Sequence, residues 1–202
     1  MPDKFKSELI SWNQVVRLVE RLARMIQDDG FRPDIIIAIG RGGYVPARLL
    51  ADYLDMMNLT SFKIEHYIAG AQRQRQAKIK YPLGIDVSGQ RVLVVDDVSD
   101  SGDTFDIGLQ HIRERSAPSE IRTAVLHHKT VSRFVPDYYA GKVIKWRWLI
   151  YPWAQVEDIG GFIDRMESPP ADLPAIRERL QQEYGIRTPE AVLEYILHKK
   201  NS

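Results

Sequence analysis

The run Val92-Leu93-Val94-Val95 stops abruptly at the adjacent carboxylates Asp96-Asp97, and Ser99-Asp100-Ser101-Gly102-Asp103-Thr104 follows. Such a run is too short for a buried helix and predicts a core strand, from about Arg91 to Val95, that leads through a polar turn into a helix of about a dozen residues. A second run, Ile35-Ile36-Ile37-Ala38-Ile39, shows no alternation and ends at Gly40-Arg41-Gly42-Gly43. Strands buried on both faces belong to parallel sheets covered by helices, whose ligands collect at the carboxyl ends of the strands. The loops after Ile39, Val95 and Leu126 therefore become the places to look for chemistry.

The rest of the chain fits that scheme. Ser11-Trp12-Asn13-Gln14 has the spacing of a capping box, and Val15, Val16, Leu18, Val19, Leu22, Met25 and Ile26 recur at helical intervals. A helix is expected to start at Pro46, which is tolerated in a first turn, and to run through Leu54. Thr60 to Tyr67, Ile121 to Leu126 and Trp146 to Tyr151 read as strands, and the polar stretch from Gly70 to Lys80 as a mobile loop. After Pro169-Pro170, Leu173, Ile176, Leu180 and Tyr184 form one helical stripe, and Thr188-Pro189 opens a second short helix. These elements predict an α/β fold with a mostly parallel twisted sheet flanked by helices. The expected division is a domain over residues 1–168 with a small helical extension over 169–202.

Crowding carboxylates onto one strand-to-helix turn is costly unless something cationic or hydroxylated is held there. Asp96 and Asp97 can accept hydrogen bonds from a vicinal diol and can help hold Mg2+ through oxygen. Residues 99–104 offer backbone N–H groups, hydroxyls and a helix N-terminus, which suit a phosphate monoester. The glycines at 42 and 43 would let backbone N–H groups approach a diphosphate, with Arg41 supplying charge. A dinucleotide fingerprint is disfavoured, because Val45 stands where the third small residue would be needed. Arg73 to Lys80 carries four cations and no acid, as either a solvated loop or a lid over a reactive centre.

An apolar strand, two acids and a short loop rich in Asp, Ser, Thr and Gly resemble the signature of the type I phosphoribosyltransferases. The resemblance implies that Asp96 and Asp97 meet the ribose hydroxyls of 5-phosphoribosyl-1-diphosphate. It further implies that the loop of Asp100, Ser101, Gly102, Asp103 and Thr104 binds the 5′-phosphate, beside the Ser99 hydroxyl already read as a candidate contact, while Arg41, Gly42 and Gly43 hold the diphosphate. Asp103 departs from the pattern, where Gly or Lys is usual, and its side chain is expected to point away from the phosphate toward the dipole of its helix. From about Ile10 to Trp153 the chain is similar to the 6-oxopurine enzymes, through Lys129 and Trp148-Leu149-Ile150-Tyr151-Pro152-Trp153. That similarity implies that Lys129 donates to the purine O6, Trp148 stacks on the ring, the Leu149 carbonyl reads the C2 edge and Asp100 assists proton removal at N7. A cytoplasmic homodimer that uses Mg2+ is implied as well.

Composition narrows the alternatives. The 202 residues suffice for one α/β core, the 28 basic and 27 acidic side chains nearly cancel, and cysteine is absent. No global field recommends nucleic acid or a membrane as partner, and thiolate chemistry is excluded. The start of the chain has no apolar targeting segment, so a soluble intracellular protein is expected. Two other readings remain open: a regulatory protein that senses phosphoribosyl diphosphate, and a transferase for another nucleobase. A signalling receiver domain is disfavoured, since its acids would follow the first strand.

Overall fold

The computed structural model describes residues 5–69, 74–170 and 172–201. They form two compact units, one over residues 15–145 and the other combining the N-terminal residues to 14 with those from 146 onward. This division does not follow the expected boundary between residues 168 and 169.

The larger unit is built on a six-stranded sheet. Its strands are β2 (Ile35–Gly40), β3 (Leu59–Ala69), β4 (Gln74–Tyr81), β5 (Arg91–Ser99), β6 (Glu120–Lys129) and β7 (Tyr138–Val143), in the spatial order β4-β3-β2-β5-β6-β7. All neighbours are parallel except β3 and β4. The helices of this unit are α1 (Trp12–Asp28), which starts in the other unit, α2 (Tyr44–Tyr53) and α3 (Asp103–Arg115).

The unbroken apolar runs account for the centre of the sheet. Every residue of β2 is buried, and so are Val92 to Val95 of β5. Ile35, Ile37, Ile39, Val92 and Val94 share one face with Phe105, Leu109 and Ile112 of α3. The alternate residues face the other way, and α2 contacts β2 and β5. Right-handed crossovers demand this arrangement, because β2-α2-β3 and β5-α3-β6 progress in opposite directions from the middle of the sheet. The chain order therefore reverses between β2 and β5, and the loops that leave their carboxyl ends diverge there to open a crevice.

Three expectations are corrected. Residues 74–81 form the strand β4 rather than a loop, in a ladder with β3 from Lys63↔Tyr81 to Ala69↔Gln74; residues 70–73 lie outside the described residues. α2 begins at Tyr44, two residues before Pro46. The strand expected over Trp146 to Tyr151 is the shorter β8 (Trp148–Ile150), and it pairs in parallel with β1 (Ser7–Leu9) instead of joining the main sheet.

β1 and β8 belong to the smaller unit, with α4 (Gln155–Asp164), α5 (Leu173–Tyr184) and α6 (Glu190–Asn201). Its core gathers Phe5, Ile150, Phe162, Ile163, Ile176, Leu180, Tyr184, Leu193 and Ile196. α5 is capped by Asp172, whose carboxylate accepts from the Ala175 N–H at 2.9 Å, and ends at Gly185 in the left-handed region. The capping box at the start of α1 is present, with Gln14 Oε1 accepting from the Ser11 N–H at 2.8 Å and Ser11 Oγ from the Gln14 N–H at 3.3 Å.

Candidate active site

The loops leaving β2 and β5 are fitted to each other through missing side chains. A Cβ on Gly42 would lie 2.6 Å from the carboxylate of Asp97, and one on Gly43 would lie 2.3 Å from the Val95 carbonyl and 2.8 Å from that of Ile39. Both glycines are therefore required by close approach, with backbone packed directly on the end of β5. The Gly40–Arg41 peptide is cis, and Arg41 is exposed. The sequence-predicted groups Gly42, Gly43, Asp96 and Asp97 are thus brought together.

Asp96 is 8% exposed and its Oδ1 accepts from the Asp97 N–H at 2.9 Å. Burial pushes the Asp96 carboxyl well above the usual range, and the charge of Asp97 beside it adds to the effect. Among the described residues no cluster of three or more His, Cys, Asp or Glu side chains could hold a metal by itself. Two adjacent carboxylates, one of them pushed toward protonation by burial and by its neighbour, nevertheless form an incomplete oxygen donor set of the kind a hard cation completes with substrate oxygens and water.

Further along, Lys129 enters from the end of β6. Only 2% of its side chain is exposed, and its Nζ donates to Asp100 Oδ2 at 2.7 Å. Burial pulls the ammonium below the ordinary lysine value, while Asp100 and, more weakly, Asp97 draw it back up. Deep burial of a lysine whose Nζ meets a half-exposed carboxylate is unusual for a surface residue and typical of a group held for a task.

The phosphate-type loop is held from behind by the segment after β6. Ser99 is buried, and its hydroxyl lies 2.8 Å from Ser132 Oγ and donates to the Phe134 carbonyl at 3.0 Å. The Ser99 hydroxyl is thereby spent on loop structure and does not face a ligand as expected. The Arg133 N–H donates to the Ser101 carbonyl at 3.2 Å. Gly102 has φ +99°, and a Cβ there would sit 2.7 Å from Phe134 Cβ. Ser101 Oγ donates to Asp103 Oδ2 at 2.9 Å, and the other Asp103 oxygen meets the Arg133 guanidinium, which also reaches Asp106 at 3.2 Å. Asp103 is accordingly held by an arginine as well as standing in the first turn of α3. Thr104 follows it there, half-buried.

Arg133, Ser132 and Phe134 were missed at the level of sequence. The available signal was the position of Arg133 in the third of the three carboxyl-end loops, four residues beyond Lys129.

Trp148 and Leu149 belong to the smaller unit. Trp148 is half-buried, with its ring tilted against Phe5 at 6.4 Å and Trp146 at 6.5 Å. Leu149 is buried, and Trp153 stacks on Tyr151 at 4.8 Å.

A reversed α/β sheet with an acidic pair, a glycine loop and a helix start at its carboxyl edge is an arrangement suited to a phosphate-bearing ligand. Residues 6–155 match the family described as phosphoribosyl transferase domain, and the chain belongs to that family. It is 31% identical over 144 residues to the xanthine-guanine phosphoribosyltransferase of Chromohalobacter salexigens, covering 71% of this chain and 82% of that one. It is 28% identical over 193 residues to the hypoxanthine-guanine phosphoribosyltransferase of Saccharomyces cerevisiae, covering 74% and 86%. The crystal structure of a purine phosphoribosyltransferase from Pyrococcus horikoshii superimposes with a TM-score of 0.64 at 32% identity, over 73% of this chain and 93% of the other.

Proposed function

We propose that this enzyme transfers the 5-phosphoribosyl group of 5-phosphoribosyl-1-diphosphate to N9 of a 6-oxopurine, hypoxanthine, guanine or xanthine, releasing diphosphate in purine salvage. The observation that carries the proposal is the buried Lys129 held by Asp100 beside the Asp96–Asp97 pair. A charged donor and a carboxylate 2.7 Å apart are complementary to the two polar atoms on one edge of an oxopurine, O6 and N7.

In this reading Asp97 and the less accessible Asp96 accept from the ribose hydroxyls, and the loop from Asp100 to Thr104 receives the 5′-phosphate on backbone N–H groups at the start of α3. Gly42, Gly43 and Arg41 cradle the departing diphosphate. Asp100 accepts the proton at N7 as N9 attacks, Lys129 donates to O6, Trp148 stacks on the ring, and the Leu149 carbonyl meets the C2 substituent. Asp96 and Asp97 are the residues that would hold Mg2+, and when bound the ion supplies charge neutralisation for the diphosphate. A cytoplasmic homodimer acting on small molecules, with no nucleic-acid or membrane partner, completes the proposal. No helix among the described residues is long and apolar enough to cross a membrane, and the homodimer rests on family likeness alone.

The test is diphosphate release with 5-phosphoribosyl-1-diphosphate across hypoxanthine, guanine, xanthine, adenine and uracil, with Mg2+ and after its removal by EDTA. Turnover confined to 6-oxopurines and restored by added Mg2+ is expected. Turnover with adenine or uracil alone would reassign the base, and binding of the diphosphate substrate without turnover on any base would reassign the protein as a sensor.

A further inference from the structure

The phosphate-type loop of this enzyme contains a carboxylate where a dianion must approach. Asp103 is the first residue of α3, at a helix start whose N–H groups suit an anion, and its own N–H donates weakly to Ser101 Oγ at 3.4 Å. Like charges this close repel strongly in a site partly shielded from water. A loop with this residue binds a monoester phosphate only if the carboxylate is neutralised and directed elsewhere.

We propose that Arg133 is the positioning residue that makes the loop competent for phosphate, by holding Asp103 away from the anion and cancelling its charge. The inference rests on the phosphoribosyl-transfer reading of the site and specifies how its phosphate subsite works. Arg133 contacts one oxygen of Asp103 while the Ser101 hydroxyl occupies the other, so both oxygens of the carboxylate are committed. The guanidinium is itself anchored by Asp106, one helical turn further, through Nε and Nη2 at 3.2 Å each. Its backbone is tied to the same loop, since the Arg133 N–H donates to the Ser101 carbonyl at 3.2 Å. Ser99 and Ser132, 2.8 Å apart, and the packing of Phe134 on Gly102 fix the two segments together. Arg133 therefore acts through Asp103 and needs no contact with substrate.

The Asp106 contact also explains why a lysine would be a poorer substitute. A guanidinium can engage two carboxylates in one plane, whereas an ammonium is a point charge on a flexible stem. Arg133→Lys should retain part of the effect and Arg133→Ala none of it.

The experiment measures binding of ribose 5-phosphate by calorimetry, and KM and kcat for 5-phosphoribosyl-1-diphosphate, in the parent enzyme, Arg133→Ala, Arg133→Lys and Asp103→Gly/Arg133→Ala. Far-UV circular dichroism and thermal melting confirm that each variant is folded. Arg133→Ala is expected to weaken ribose 5-phosphate binding and raise KM for the diphosphate substrate by about tenfold or more, with kcat and the KM for base little changed. Arg133→Lys should fall between the two. Asp103→Gly/Arg133→Ala should recover to within about threefold of the parent, because the charge that needed cancelling is gone. Equal impairment of the single and double variants would overturn the inference, as would an Arg133→Ala enzyme with unaltered phosphate affinity. Ribose 5-phosphate binding without turnover leaves this comparison intact while rejecting the transferase reading; a parent that binds no ribose 5-phosphate rejects both.

Discussion

Lys129 and Asp100 are partners in one ion pair, yet removing them one at a time should have unequal consequences for stability. Lys129 has 2% of its side chain exposed and Asp100 has 38%, with 2.7 Å between Nζ and Oδ2. Asp100→Asn leaves a buried ammonium with a neutral partner. Stranding a buried charge typically costs about 3–5 kcal/mol. Asp100 is more than one-third open to water and Asp97 still attracts the lysine, which together reduce the expected cost to about 2 kcal/mol. With a urea m-value of about 2 kcal/mol/M for a chain of this size, the midpoint should fall by about 1 M. Lys129→Met keeps the length of the side chain, removes the desolvation cost and leaves Asp100 where water can solvate it, so its midpoint should stay within about 0.5 M of the parent or rise. Both variants should lose turnover, so reduced activity cannot explain the difference in stability. The pH dependence has a definite sign. Burial lowers the Lys129 pKa below 10.5, so between the lowered value and 10.5 the unfolded chain binds more protons than the folded one, and this group makes stability rise with pH. Lys129→Met should abolish that contribution. Chemical denaturation from pH 7 to 10.5 measures all three quantities, and a Lys129→Met midpoint as low as that of Asp100→Asn would refute the assignment of Lys129 as a tolerated cost.

Two further outcomes follow from the geometry. Gly102→Ala should destabilise by roughly 2–4 kcal/mol, combining left-handed backbone strain with overpacking, since φ is +99° and the new Cβ would lie 2.7 Å from that of Phe134. Thermal melting should show Tm lower by roughly 5–15 °C, and an unchanged Tm would mean that the segment after β6 yields freely. Asp34, whose carboxyl is held at about 2 by hydrogen bonds from the Arg91 side chain and then its backbone N–H, should contribute stability that is present above pH 3.8 and lost as pH falls toward about 2. Asp34→Asn should flatten that part of the acid limb in denaturation midpoints recorded against pH, and an unaltered slope would show that the pair is already broken in solution.

The centre of the sheet was legible because burial on both faces leaves an unbroken apolar run, as in Ile35 to Ile39 and Val92 to Val95. Edges and additions were less legible, each for a physical reason. β4 is the outermost strand, and Gln74-Arg75-Gln76-Ala77-Lys78-Ile79-Lys80 has the polar, cationic composition that keeps a sheet edge from pairing with other chains. The same composition reads as a loop. β7, at the opposite edge, contains Gly141, where a Cβ would meet the His127 ring at 2.6 Å, so cross-strand packing selects a residue that weakens the strand signal. In α4, Gly160-Gly161 dilutes the helical pattern. The grouping of Phe5 with Ile176, Leu180 and Tyr184 joins segments at opposite ends of the chain, and no local period carries that information.

The site divides along the same line between local and non-local information. Carboxylates crowded after one strand indicate that cationic or hydroxylated partners are needed, a conclusion available from residues 92–104 alone. Which partner each acid takes depends on a segment about 30 residues away, brought alongside by the parallel pairing of β5 with β6. Asp100 takes Lys129 and Asp103 takes Arg133, so the chain itself supplies cations to these acids. Ser99, which looked like a ligand, is consumed in fastening the two segments together. Asp96 remains, its carboxyl pushed toward protonation by burial and by Asp97. In the proposed reaction the Asp96–Asp97 pair is where a ribose diol and Mg2+ would be held, through carboxylate oxygens.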